Sequence, residues 1–273
     1  MPPTSLAPKP AADPAAPSAA AVADELADEL PGLLRYARTL VREPERAEDL
    51  VQDTVVRALE RADSFRAESS LRTWLHRILH NLAVDGGRRR HDDPVDVSDD
   101  LVGRVELLWQ DDGYTVDAEL AVERAELREV VQDALLRVPL IYRSTVVLHD
   151  VEGLTMTEVA EIQQVGLPAA KQRLRRGRMM LVSELSPARH HVPVPGVPLR
   201  CWDARSKVSD YLDSELSERE QGLLEQHLAS CPTCPPLYAG LVGVRDALGA
   251  RRDPDDVVPD RILARLRTAA PTA

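Results

Sequence analysis

Aromatic residues are scarce in this chain of 273 residues: they make up 3% of it, and a single one is phenylalanine. Any hydrophobic core must therefore be built from leucine, valine, isoleucine and alanine. Together with a charged fraction of 29%, this composition favours small helical domains over a large sheet. No apolar run reaches the roughly 18 residues that a membrane-spanning helix needs, so contact with a membrane is not predicted.

Cysteine is also rare. Three cysteines do not fit a disulfide framework, which indicates a reducing, cytoplasmic setting. Residues 1–23 are rich in proline and alanine and lack a basic start followed by an apolar stretch, so they predict a disordered tail and not a signal peptide. The chain contains no recognisable nucleophile–base pair or phosphate-binding loop, and we do not expect an enzyme.

Acidic residues outnumber basic ones, and the formal net charge is −11. The charge is uneven, however. Residues 93–120 contain nine acidic residues and one arginine, whereas residues 168–189 contain six basic residues and one glutamate. A basic segment in an acidic chain predicts local binding of an anionic partner.

Helical periodicity dominates the rest of the sequence. It predicts an all-α protein with two small helical domains and a third helical unit, joined by flexible linkers, and no strand pattern competes with it. The predicted boundaries are a tail at 1–23, helices over 24–92, an acidic linker at 93–120 with one short helix around Leu101–Trp109, helices over 121–186, a Pro-rich linker at 187–199, a small domain at 200–250 and a fraying tail at 251–273.

The basic segment lies in a helix-turn-helix pattern. Thr155 or Thr157 is placed to cap a short helix, a turn follows around Gly166, and a second helix begins near Pro168. A helix fits the major groove of DNA, where cationic side chains contact phosphates and base edges. The alternative is a solvated basic face on an ordinary pair of helices.

Two blocks of the sequence resemble a known family. The segment "RVPLIYRSTVVLHDVEGLTMTEVAEIQQVGLPAAKQRLRRGRMML" is similar to region four, which binds the minus-thirty-five element, of extracytoplasmic-function sigma factors. Upstream, "AEDLVQDTVVRAL" resembles region 2.2, and "SFRAESSLRTWLHRILHNLAVDGGRRR" resembles regions 2.3 and 2.4. The blocks stand in the expected order and cover roughly half of the chain. The resemblance implies a promoter-specificity subunit whose partners are promoter DNA and core RNA polymerase, through its β′ clamp and β flap.

The resemblance also implies roles for individual residues. For the polymerase-binding residues given below, the alternative is the polar face of an ordinary surface helix. Trp74 falls in an apolar stripe and is expected in the core. The implied polymerase-binding residues are Asp49, Leu50, Gln52 and Asp53. The implied DNA-binding residues are Arg66, Ser69, Ser70, Arg72, Arg77, Asn81, Arg88, Arg89 and Arg90 for the minus-ten element, and Lys171, Gln172, Arg173, Arg175, Arg176 and Arg178 for the minus-thirty-five element.

The helix-turn-helix departs from the family pattern. Gln164 stands where the family usually has a turn glycine, and Pro168 and Ala169 replace the Gly-Thr pair that starts the recognition helix. His149 occupies a site at which a basic residue is common. The fold is expected to survive these changes, but the promoter sequence is not inferred.

The stretch "HLASCPTC" predicts a metal site. His227 and Cys231 are four residues apart on one helix face, and Cys231 and Cys234 form a two-residue-spaced knuckle. Structural zinc prefers four ligands in a tetrahedron, and Cys201 is the remaining cysteine. The alternatives are a redox pair of thiols or a fortuitous spacing. The segment that begins "CWDARSKVSDYLDSEL" resembles the zinc-binding anti-sigma fold, which implies a fused domain that regulates the sigma domains by intramolecular contact and masks the polymerase-docking helix.

Two other functions remain open on sequence alone. The chain could be a one-component DNA-binding regulator that uses only the helix-turn-helix and never joins polymerase. It could also be an anti-sigma-type interaction protein whose sigma-like parts have decayed. Co-purification with core polymerase separates the first from a sigma factor, and promoter-dependent transcription separates the second.

Overall fold

The computed structural model describes residues 19–62, 65, 69–90, 99–191, 196–252 and 258–269. The all-α prediction is confirmed over these ranges. The expected N-terminal tail lies outside them up to position 18, and the first helix begins at Ala19. Within the described ranges, no helix combines the length and hydropathy that crossing a membrane requires.

The described part of the chain is mainly a series of helices. Two three-residue strands, β1 (Tyr114–Val116) and β2 (Ala188–His190), interrupt the series. The helices are α1 (Ala19–Leu40), α2 (Pro44–Glu60), α3 (Leu71–Arg90), α4 (Asp99–Gln110), α5 (Ala118–Glu126), α6 (Arg128–Arg137), α7 (Leu140–Val146) with a π-helical turn at Val147–Val151, α8 (Met156–Ile162), α9 (Leu167–Leu185), α10 (Cys201–Arg205), α11 (Val208–Leu212), α12 (Glu218–Ser230), α13 (Cys234–Gly249) and α14 (Asp260–Ala269).

Helices α1, α2 and α3 pack together as the periodicity predicts. Leu30, Leu33 and Leu34 of α1 are fully buried, and Trp74 of α3 is buried against Phe65 with ring centroids 5.1 Å apart. Helix α3 starts at a serine cap, because the Thr73 backbone N–H donates to Ser70 Oγ at 3.1 Å.

A glycine pair such as Gly86–Gly87 predicts the end of a helix, but α3 continues through it to Arg90. A glycine ends a helix most readily when it takes the left-handed conformation. Gly86 does not have a positive φ, so the helix passes through it.

The two strands form an antiparallel pair that the sequence did not predict. Their register joins Tyr114 to His190 and Val116 to Ala188. Three residues are too few for a period-two pattern to stand out. The pair ties the end of the acidic linker to the start of the Pro-rich linker, so both predicted linkers contain ordered structure in their described parts.

The predicted zinc-binding domain at residues 200–250, called the zinc unit below, packs directly on the middle of the chain. Helix α13 lies along α5, and the close approach requires glycine: a Cβ at Gly243 would lie 2.2 Å from Val122 Cγ2. Val244 and Leu248 of α13 are buried in the same hydrophobic cluster as α1 and α9. The predicted domains therefore share one continuous core over the described residues.

The predicted fraying end contains helix α14, which packs on α2. Ile262 is fully buried and Leu266 is 8% exposed, and their spacing of four places them on one helix face. Arg261 also donates a hydrogen bond to Glu48 of α2. A ten-residue helix is marginal alone, so its order depends on this partner, which local sequence does not reveal.

Candidate functional site

The helix-turn-helix consists of α8 and α9. Thr155 caps α8 in a capping box: the Glu158 backbone N–H donates to Thr155 Oγ1 at 3.3 Å, and the Thr155 N–H donates to Glu158 Oε2 at 2.8 Å. At the turn, Gln164 has a φ of 54°, the left-handed region that glycine occupies without strain. The turn thus keeps its shape despite the missing glycine.

The cationic side chains of α9 are engaged by other parts of the chain. Lys171 pairs with Glu215 at 2.6 Å, and Arg176 donates to both carboxylate oxygens of Glu106 at 2.7 and 3.2 Å. Glu106 belongs to α4 of the acidic linker, and Glu215 to the zinc unit. The other predicted residues of α9 also have defined surroundings: Arg173 donates to Gln163 at 2.9 Å, Arg175 lies 5.6 Å from the centroid of the Trp202 ring, and Gln172 is exposed.

Arg178 differs from the other cations of α9. Its side chain is 4% exposed and donates to Asp150 at 2.6 and 3.0 Å and to Asp213 at 2.9 and 3.0 Å. The sequence predicted a DNA contact for Arg178, but in this structure its guanidinium is buried between two carboxylates. The helical repeat places Arg178 on the inner face of α9. A count of basic residues does not show which face of the helix each one occupies.

The predicted minus-ten surface faces the helix-turn-helix. Arg72 of α3 donates to Glu152 Oε2 at 3.0 Å, and Arg77 pairs with Glu161 of α8 at 3.1 Å. The side chain of Glu152 is fully buried and also accepts from Arg35 of α1 at 2.7 Å. Of the remaining predicted residues, Ser69 and Asn81 are half-buried, Ser70 is the exposed cap of α3, Arg66 lies outside the described residues, and Arg88, Arg89 and Arg90 close α3 with side chains outside the description.

The predicted polymerase-binding residues lie on α2. Asp49 and Asp53 are exposed, whereas Leu50 and Gln52 are half-buried. Besides α1 and α3, helix α14 packs on this helix. The hydrogen bond with Glu48, and then the negative charges of Glu48, Asp49 and Glu45, raise the pKa of Arg261. Arg261 therefore lies within the electrostatic reach of Asp49.

The four predicted metal ligands converge at one point. Cys201 begins α10, His227 lies in the last turn of α12, Cys231 is the C-cap of α12 and Cys234 begins α13. All four are buried, and their ligand atoms lie within 4.8 Å of one another. Three helix ends thus present one imidazole and three sulfur atoms to a common centre.

These residues fit a zinc ion. The Sγ atoms of Cys201 and Cys231 are 3.7 Å apart, close to the edge of about 3.8 Å in a tetrahedron with zinc–sulfur bonds of about 2.3 Å. His227 Nδ1 bonds the Leu199 carbonyl at 3.1 Å, and its buried Nε2 has no hydrogen-bond partner among the described residues. A metal-binding histidine shows this arrangement, with one nitrogen fixed and the other free to bind.

Burial raises the pKa of the Cys201 and Cys234 thiols. A buried thiolate requires a nearby positive charge. A zinc ion supplies that charge, holds the sulfur atoms as thiolates and joins α10, α12 and α13. One structural zinc with four protein ligands is therefore the cofactor of this unit.

Three family models match the chain. Residues 26–92 match "Sigma-70 region 2", residues 128–181 match "Sigma-70, region 4" and residues 201–234 match "Putative zinc-finger". The matched ranges coincide with α1–α3, with α6 to most of α9 and with the four-ligand centre. The fold and the site thus define a transcription initiation protein of the sigma-70 type that carries a zinc-binding unit.

Named relatives narrow the assignment. The chain is 34% identical to the ECF RNA polymerase sigma factor SigW of Bacillus subtilis over 142 residues, covering 51% of this chain and 75% of SigW. It is 32% identical to the ECF sigma factor SigM of Mycobacterium tuberculosis over 149 residues, covering 55% and 69% of the two chains. The chain belongs to the extracytoplasmic-function family of RNA polymerase sigma factors.

Several residues that shape the site were not found from the sequence. Glu106, Glu152 and Asp213 each pair with a cation distant along the chain, and Arg205 contacts the metal centre. The acidity of residues 93–120 was a usable signal for Glu106, since a block of carboxylates near a basic helix predicts pairing. The other partners were not marked by any local pattern.

Proposed function

We propose that this sigma factor is held in a closed form by its own linker and C-terminal part, and that promoter recognition requires this form to open. In the open form, α2 docks on the β′ clamp of core polymerase and region 4 on the β flap. Region 2 reads the minus-ten element, and α9 reads the minus-thirty-five element. The protein acts in the cytoplasm, where the polymerase is.

The pairing of α9 with the chain's own carboxylates carries this proposal. Cationic side chains bind the phosphate backbone by neutralising it. Glu106 and Glu215 occupy Arg176 and Lys171 as phosphates would. DNA must displace these carboxylates, so each intramolecular pair lowers the affinity of α9 for DNA.

The pairing of the minus-ten surface with α8 supports the same conclusion. Arg72 and Arg77 contact Glu152 and Glu161 of the region 4 half. Promoter elements about 20 base pairs apart lie roughly 70 Å apart along B-DNA at 3.4 Å per step. Two directly paired domains do not span that distance, so the Arg77–Glu161 contact must break on promoter DNA.

The position of α14 supports the idea that it masks the polymerase-binding surface on α2. Arg261 binds Glu48 and lies near Asp49, and Ile262 and Leu266 bury the apolar stripe of α14. A partner docking on this part of α2 competes with α14. Because α14 is tethered to the same chain, even a weak contact is well populated.

A binding assay with core polymerase tests the masking. Arg261→Glu places a negative charge beside Glu48 and should raise both core binding and run-off transcription by about twofold to tenfold. Arg265→Glu is the matched control, because Arg265 is an exposed arginine of the same helix. Equal core binding by the parent and the Arg261 variant would contradict the masking.

The docking role of α2 has its own test. Asp49→Lys with Asp53→Lys should weaken core binding while helix content stays unchanged, because both side chains are exposed. The matched control is Glu60→Lys with Asp85→Lys, since these exposed acids lie in the same domain outside the proposed surface. Full assembly of the Asp49 and Asp53 variant with core would reject this surface.

A further inference from the structure

The residue Arg205 lies between the metal centre and the acidic linker. It ends α10 and is 2% exposed. Its Nε donates to Cys234 Sγ at 3.3 Å, and one Nη2 bond goes to Thr233 Oγ1 at 3.2 Å. Cys234 is a zinc ligand and Thr233 precedes it, so one side of the guanidinium faces the metal centre.

The other side of the guanidinium faces the linker between regions 2 and 4. Nη1 donates to the carbonyl oxygens of Trp109 at 2.7 Å and Asp111 at 2.8 Å, and Nη2 donates to that of Tyr114 at 2.8 Å. The five N–H groups of an arginine are thus all used. Three of them fix the backbone of one linker turn.

The charge of Arg205 needs a counter-charge. A guanidinium keeps its positive charge in proteins, and a buried charge is costly unless it is paired. Among the described residues, the hydrogen-bond acceptors of Arg205 are carbonyls, a hydroxyl and a sulfur, and none is a carboxylate. A zinc ion with three thiolates and a neutral imidazole carries one net negative charge, which balances Arg205.

We propose that Arg205 is a positioning residue that couples zinc occupancy to the linker. With zinc bound, the negative centre holds Arg205 in place, and Arg205 holds the turn at residues 109–114. When zinc leaves, each thiolate takes up a proton and becomes a neutral thiol, so the buried guanidinium loses its counter-charge and releases the turn. Thr233 reinforces the link, since its hydroxyl donates to the Asp112 carbonyl at 3.0 Å and its carbonyl accepts from Thr115 at 2.9 Å.

The linker turn at residues 109–114 also contacts α9, the helix that we propose reads DNA. Trp109 Nε1 donates to Ser183 Oγ of α9 at 3.0 Å, and the Tyr114 hydroxyl contacts the same oxygen at 3.0 Å. The helix that ends at this turn, α4, carries Glu106, which pairs with Arg176. Loss of zinc should therefore loosen the acidic cover of α9, a consequence that rests on the proposed function.

Two measurements on the full-length chain test the coupling without DNA or polymerase. Zinc affinity is measured by competition with a chromophoric chelator, and backbone hydrogen exchange of residues 109–115 is followed by mass spectrometry with zinc and after its removal. Removing zinc from the parent should raise exchange in this segment by about tenfold. Unchanged exchange would overturn the proposal.

Two substitutions separate charge from contact. Arg205→Met removes both and should lower zinc affinity by about 10–100-fold, the usual effect of losing an outer partner of a metal site. Arg205→Lys keeps the charge but cannot bridge three carbonyls. It should hold zinc within about threefold of the parent while residues 109–115 exchange faster.

A purely structural role makes a different prediction. Arg205→Lys and Arg205→Met would then alter zinc affinity equally, and that result would overturn the proposal, as would parental zinc affinity in Arg205→Met. Arg219→Met, at an exposed arginine of α12, is the control and should match the parent. If Arg205→Met does not fold, Arg205→Lys alone tests the proposal. This variant must keep a zinc affinity close to that of the parent while residues 109–115 exchange faster than in the parent. These readouts also remain valid if the closed form proves irrelevant to transcription.

Discussion

Arg176 donates two hydrogen bonds to Glu106, at 2.7 and 3.2 Å, and so joins helix α9 of region 4 to helix α4 of the acidic linker. Arg175 lies near the same carboxylate, at 3.9 Å. One glutamate thus engages two cations that the sequence assigns to DNA. In the proposed closed form, the acidic linker therefore competes with DNA phosphates for these two cations.

Glu106→Gln should raise DNA affinity, since the amide carries no charge to hold the two arginines. Partly exposed ion pairs contribute about 0.5–1 kcal/mol, which corresponds to a gain of about twofold to fivefold. Fluorescence anisotropy with a mixed-sequence duplex at low salt measures it. Glu123→Gln, at an exposed glutamate of α5, makes the same change in net charge and should have little effect. Equal affinities for the two variants would remove Glu106 from this role.

Arg178 should stabilise the fold more than it binds DNA. Arg178→Met leaves the buried carboxylate of Asp150, 2% exposed, without its cation. Breaking a buried pair from one side costs about 3–5 kcal/mol, and urea unfolding should show a loss of that size. Arg176→Met, at a pair that is 20–25% exposed, should cost about 1 kcal/mol or less. Similar losses for both variants would contradict the buried role.

The local elements could be predicted from the sequence, and most long-range pairings could not. Helix periodicity and the capping pattern at Thr155 are local, and they indicated α8 correctly. The metal ligands were also predicted, because the spacing of His227 and Cys231 places both on one face of a helix.

The missed features depend on partners far along the chain. Glu152 is 80 residues from Arg72, and Arg261 is 213 residues from Glu48. A single charged residue is equally consistent with solvent and with a buried partner, so neither pair was visible in the pattern. The same limit applies to Arg178. Its burial depends on pairing with Asp213, which is distant along the chain.

The zinc unit should lose its metal when the knuckle is removed. Cys231→Ser with Cys234→Ser leaves two ligands, whereas structural zinc requires four, so stoichiometric zinc should disappear and the free energy of unfolding should fall. Metal analysis of protein purified under reducing conditions measures the first effect. Less than about half an equivalent of zinc in the parent would reject the site. Ser230→Ala, at an exposed residue beside the knuckle, should keep the zinc.

A histidine–carboxylate contact joins region 4 to the zinc unit, and we expect it to depend on pH. His149 Nε2 lies 3.4 Å from Asp213 Oδ1. Burial alone would lower the pKa of His149, but hydrogen bonds to Asp213 and the Leu154 carbonyl and the charges of Asp150 and Asp213 raise it above its ordinary value of 6.5. Burial would raise the pKa of Asp213, yet the hydrogen bonds from His149 and Arg178 lower it to about 2, so Asp213 stays ionised near neutral pH.

The direction of the pH effect follows from these shifts. A group whose pKa is raised by folding stabilises the protein fully below its unfolded pKa and loses that effect as pH rises through the folded pKa. The stability difference between the parent and His149→Gln should therefore be largest near pH 6 and shrink by about pH 8.5. Urea unfolding of both chains at each pH measures it, and the titration of the zinc ligands cancels in the comparison. A difference that stayed constant, or grew with pH, would show that the charge of His149 does not hold Asp213.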